Sequence, residues 1–157
     1  MKQSNNGLTY LKRIKSNVPF SQRLNDWIVN RVAGIKFVPY NGEELSFEEF
    51  KQEYAKNGYM YISTENCEDS IFGKSHINVL FRVWHDSIHI ELNEDFDYMA
   101  EARVAFKQCA ELPSDWLFEK QLIMCEVIAQ ASYHQKTGNF VANQREFTIN
   151  VLETGKI

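Results

Sequence analysis

A chain of 157 residues with 44% hydrophobic and 24% charged residues has enough apolar material for one folded domain, which argues against intrinsic disorder. Its net charge of −4 disfavours non-specific nucleic-acid binding, and no run approaches the roughly 20 apolar residues that a membrane helix needs. Cys67, Cys109 and Cys125 are odd in number and lack a CxxC spacing, so neither a disulfide framework nor a cysteine zinc knuckle is indicated; reduced thiols in a cytoplasmic setting are the simplest reading.

In chain order, residues 1–18 are polar and read as an extended segment. Their basic run, Lys12, Arg13 and Lys15, is too short to indicate phosphate binding. Apolar residues at 24, 27, 28, 32 and 33 have helical spacing after Ser21, a good N-cap. Residues 35–40 are β-branched and aromatic, and Pro39 restricts them to an edge strand. Ser46-Phe-Glu-Glu49 is a capping box that opens a helix to Lys56, which Asn57-Gly58 stops. Residues 59–63 form a second strand, able to pair with 35–40.

Residues 64–74 read as a loop in which Cys67 is exposed, beside Glu65, Glu68 and Asp69, which disfavour a reactive thiolate. From Ser75 to Leu92, apolar residues nearly surround a helix axis, so this helix is buried on most sides. Asp95 or Asp97 caps a further helix to Glu111, and Pro113 breaks the chain. Ser114 or Asp115 caps a helix to Lys136, and the last helix spans 143–153. These elements predict a mainly α protein, one domain over 1–157: a helical bundle or orthogonal helical array with a small two-stranded β element.

Arg82, His85, Asp86 and His89 form a polar stripe on the most apolar helix. His85 and His89 are four residues apart and can present both imidazoles to one point, as helices do when they ligate zinc. Two ligands do not complete a site. Glu101 and Glu126 are candidates for the rest, because each stands among apolar neighbours where an unpartnered carboxylate is costly. A tight connection makes helices 76–92 and 95–111 antiparallel and brings Glu101 towards the stripe. The metal reading therefore takes His85 and His89, with Glu101 or Glu126, as ligands to one divalent ion (zinc, iron or manganese), Asp86 as a further ligand or a group that orients an imidazole, and Arg82 and Gln130 around them. The spare glutamate would serve as general base to an activated water. The competing reading is an internal polar network, in which Arg82 pairs with Asp86 and the histidines bond Glu101 or Glu126 without metal.

The segment Phe81-Arg-Val-Trp-His-Asp-Ser-Ile-His89, followed by Asp95-Phe and Glu101-Ala-Arg-Val, resembles small helical bacteriophage-encoded proteins carrying a WHDxxH-like stretch. The likeness extends over residues 76–136. It implies a phage or prophage context and the cytoplasm of a bacterial host, and it transfers no catalytic role to any residue. Phage accessory proteins of this size often inhibit host enzymes or defence systems, and aromatic residues suit a protein interface. The expectation is a protein-binding accessory factor, without membrane or nucleic-acid partners. The alternative is a metal-dependent helical enzyme or metal-binding protein built on the stripe.

Overall fold

The computed structural model describes the backbone of residues 4–157 and the side chains of 7–157. The protein is mainly α with a two-stranded sheet. The helices are α1 (Ser4–Arg13), α2 (Gln22–Val32), α3 (Phe47–Asn57), α4 (Ser75–Leu92) and α5 (Tyr98–Glu111), followed by α6 and α7. Helix α6 begins at Leu117–Met124, passes through a π-helical turn at Cys125–Ala129 and ends with Gln130–Thr137; α7 is Gln144–Thr154. The strands are β1 (Phe37–Tyr40) and β2 (Met60–Ser63).

Local chemistry accounts for most boundaries. Ser21 Oγ accepts the Leu24 amide at the start of α2, and Asp97 and Asn143 cap α5 and α7 in the same way. The capping box closes at α3, where Ser46 Oγ accepts from Glu49 N and Glu49 Oε2 accepts from Ser46 N. Gly58 ends α3 at φ 74°, a left-handed conformation that costs glycine little. Helix α6 departs from expectation: neither Ser114 nor Asp115 caps it, and Trp116 precedes its first residue without a side-chain cap bond. The two expected caps lie in a turn closed by Trp116 N donating to Pro113 O.

The strands pair in parallel, Phe37 opposite Met60 through Tyr40 opposite Ser63. Parallel neighbours require a crossover, and α3 provides it. Residues 4–13 are helical rather than extended. Their polarity hides an apolar side: Leu11 is buried, Leu8 and Ile14 pack on the core, and Lys12 Nζ lies 3.0 Å from Glu153 on α7. Residues 1–3 of the expected extended segment lie outside the described residues.

Helix α4 is the hub, with α2, α5 and β2 packed around it. Trp84 is fully buried against Trp27, ring centroids 4.6 Å apart, and its indole N–H donates to Glu111 Oε2 at 2.9 Å. The loop between β2 and α4 is tied down by polar side chains. Asn25 Nδ2 donates to Phe72 O, Arg145 Nη1 to Ser70 O and Gln144 Nε2 to Asn66 O. At Gly73 a Cβ would meet the Asn17 carbonyl at 2.7 Å, so only glycine fits this close approach. Cys67 is buried in this loop, not exposed, and burial pushes its thiol pKa up. All three cysteines are free thiols; Cys125 is buried and Cys109 half-buried.

Candidate metal centre

The pairs Trp84–Glu111, His85–Gln108 and His89–Glu101 run in opposite order along α4 and α5, so the two helices are antiparallel. This arrangement sets Glu101 across from both histidines. Its Oε2 lies 2.8 Å from His85 Nε2, and its Oε1 lies 3.3 Å from His89 Nε2. The two Nε2 atoms are 3.1 Å apart.

The other ring nitrogens explain why these edges converge. His89 Nδ1 is 2.9 Å from the Glu94 carbonyl, which can only accept, so Nδ1 carries a hydrogen. His85 Nδ1 donates in the same way to Gln108 Oε1 at 2.8 Å. In neutral rings both Nε2 atoms are then lone-pair acceptors, facing each other and a carboxylate. Three acceptors this close need a cation between them. A proton on His85 satisfies the requirement: burial opposes the charge, but Glu101, Gln108 and Asp86 outweigh it and push His85 up to about 9. Burial likewise works against the Glu101 carboxylate, and the two histidines more than reverse this, holding it well below the usual carboxylate range.

A metal ion satisfies the requirement equally well. Ligand atoms bonded at about 2.0–2.2 Å to a tetrahedral ion lie roughly 3.3–3.6 Å apart, and about 2.8–3.1 Å apart at a right angle. The separations of 2.8, 3.1 and 3.3 Å fall at or near these ranges. Orientation of each imidazole through Nδ1–H to a carbonyl oxygen is the support that metal-bound histidines receive. Asp86 places a second carboxylate nearby: one ligand atom each from His85, Asp86 and His89 lies within 4.8 Å of the others.

The remaining candidates are placed differently. Arg82 does not pair with Asp86. Its guanidinium donates to the carbonyls of Ser63 at 2.7 Å and Asn66 at 3.3 Å, because the polypeptide beyond β2 passes within its reach. Asp86 has no hydrogen bond or ion pair among the described residues, and burial pushes its carboxyl up to about 7. Glu126 makes no hydrogen bond to either histidine; it accepts from Gln130 Nε2 at 2.8 Å, one turn on. Burial outweighs the nearby Arg82 and pushes Glu126 up to about 7. Glu126 sits in the π-helical turn of α6, a distortion often found at functional sites.

Arg82, His85, Asp86, Glu101, Glu126 and Gln130 border a cavity of about 760 Å³, and buried His89 lies behind its wall. Phe96 and Tyr98 from the start of α5, and Glu126 and Gln130 from α6, complete the wall near the histidines. Gln108 was not foreseen as part of the site. It is wholly buried, and its Nε2 has no partner among the described residues while its Oε1 holds His85. The one signal for it in the sequence is an amide seven residues after Glu101, two helical turns along the same side. The chain matches no protein-family model, no curated protein and no solved structure.

Proposed function

We propose that the protein binds one divalent metal ion through His85, His89 and Glu101 and acts as a metal-dependent hydrolytic enzyme. The observation that carries this reading is the convergence of two imidazole Nε2 atoms and a carboxylate, with both Nδ1 atoms committed to carbonyl oxygens. Three protein ligands leave a coordination position for water, the pattern of catalytic rather than structural zinc. A divalent ion there would supply Lewis acidity to that water. Glu126, not needed as a ligand and raised towards neutrality, suits proton acceptance from the cavity side. Asp86 lies near enough to complete the coordination or to orient the water.

Equilibrium dialysis against zinc, manganese or ferrous iron tests the reading. One tightly held ion per chain is expected, lost in His85→Ala and His89→Ala variants that retain the helical circular-dichroism spectrum. Folded wild-type protein that holds no ion would overturn it.

A second reading, a phage-type accessory factor that binds a host protein, has a different observation in its favour. Met99 and Phe106, two turns apart on α5, are 59% and 58% exposed. Such apolar side chains can anchor an interface. On this reading, Met99→Ser with Phe106→Ser abolishes inhibition of the host target and leaves metal content unchanged.

A further inference from the structure

A second cavity of about 430 Å³ lies against the loop after β2, and Glu65, Asn66, Val141 and Gln144 border both. The two share a strongly acidic lining. Glu43, Glu44, Glu65 and Glu126 border the first, and Glu68 and Asp69 are added in the second. Among the described residues Arg82 is the one lysine or arginine in either wall, and its guanidinium is engaged by the Ser63 and Asn66 carbonyls. Even with a divalent ion at the His85 end, carboxylates still outnumber cations along the path.

An independent feature stands at the junction. Gln144 is 5% exposed, its Nε2 donates to Asn66 O at 2.6 Å, and its Oε1 has no hydrogen-bond partner among the described residues. A buried acceptor left unpaired is unfavourable, and a ligand that brings a hydrogen-bond donor to this point relieves it. The linings thus offer acceptors and negative charge in two adjoining compartments. Phe140 and Val141 add apolar surface to the first compartment, where methylene groups can lie.

We propose that these adjoining cavities bind an alkylammonium chain, several protonated amines separated by methylenes, as the substrate class of the metal site. Anionic ligands such as phosphate esters are disfavoured by the same lining. A free polyamine and the lysine side chains of a peptide both present this chemistry. The inference rests on the metal reading for its role as substrate, but binding is measurable with or without metal.

Isothermal titration of the full chain with spermidine, with an acetylated oligolysine peptide and with inorganic phosphate tests it. Saturable binding of spermidine, the peptide or both is expected, and none of phosphate. Heat from spermidine alone identifies a free polyamine, and heat from the peptide alone identifies lysine side chains. Glu65→Gln with Glu68→Gln, both exposed and without side-chain hydrogen bonds among the described residues, should weaken the amine about tenfold or more. Gln144→Leu, which changes no charge, should weaken it as well. Failure of both amines to bind below about 1 mM, or affinity untouched by the double variant, overturns the proposal. Metal content is measured on the same samples. Metal bound without amine binding rejects this inference alone, and amine binding without metal rejects the metal reading alone.

Discussion

His85 Nε2 and His89 Nε2 face each other at 3.1 Å, with each ring's Nδ1–H already donated to a carbonyl oxygen. Two lone pairs cannot rest against each other and against Glu101 without a cation. In the metal-free protein that cation is a proton on His85. The central claim is that a divalent metal ion takes its place.

Metal affinity should therefore rise with pH. His85 titrates at about 9 in the metal-free protein, so below that value each bound ion must displace a proton. Affinity should fall about tenfold for each unit of pH below 9, with close to one proton released per ion. Calorimetric titration in buffers of differing ionisation enthalpy measures that proton directly. Affinity flat between pH 6 and 8 would contradict the competition.

Stability of the metal-free protein should run the other way. His85 is raised from 6.5 to about 9, Asp86 from 3.8 to about 7 and Glu126 from 4.5 to about 7. Each group binds its proton more tightly folded than unfolded. Each contribution is therefore complete below the unfolded value and is lost as pH rises through the folded one. Glu101, held low, acts in the opposite sense, and its contribution is lost only as pH falls below 4.5. The melting temperature should be highest in mild acid and decline towards pH 9, and added metal should restore it most at the alkaline end. Thermal melts across this range decide the matter; a metal-free protein that grows more stable from pH 5 to 9 refutes the assignment.

Gln108 should matter to the metal without touching it. Gln108→Leu removes the acceptor that orients His85 and also removes the buried, unpaired Nε2. Loss of such an orienting group commonly weakens metal binding about 10–100-fold. The fold should survive, because leucine is close to glutamine in bulk and the change removes a buried, unsatisfied amide nitrogen. Competition with a chromophoric chelator reads the affinity; a wild-type value would remove Gln108 from the site.

Arg145 should matter to the fold and not to the metal. Buried, it donates to Ser70 O at 3.0 Å and to Lys15 O at 3.1 Å and lies over the Phe20 ring. Arg145→Met keeps the bulk and leaves both carbonyls without these donors, a cost of about 2–4 kcal/mol. On a chain of this size that is roughly 5–15 °C in melting temperature. Differential scanning calorimetry measures the drop, and metal stoichiometry should remain unchanged.

Much of this was legible before the structure. The stripe on α4 and the antiparallel approach of Glu101 follow from helical periodicity and a short connection, and the structure joins all three side chains. The caps at Ser21 and Ser46, and Asp97 as one of two candidates, were legible because their bonds are local. What escaped depends on distant partners. Helix α1 is mostly polar and contains Gly7, and packing against α7 completes it. Arg82 reaches carbonyls in a loop whose path no local rule specifies, so pairing with Asp86 along the helix was the nearer expectation. The π turn at Cys125–Ala129 leaves no compositional mark, yet it contains Glu126. Gln108 and Gln144 escaped for the same reason: an ordinary amide gains its role from what faces it.

The most direct test is a crystal structure of protein grown with zinc, with anomalous data collected above the zinc edge. A single anomalous peak is predicted at about 2.0–2.2 Å from His85 Nε2, His89 Nε2 and a Glu101 oxygen, with both Nδ1 hydrogen bonds preserved. An ordered His85–His89–Glu101 cluster with no peak, the rings still bonded to each other and to the carboxylate, would contradict the account.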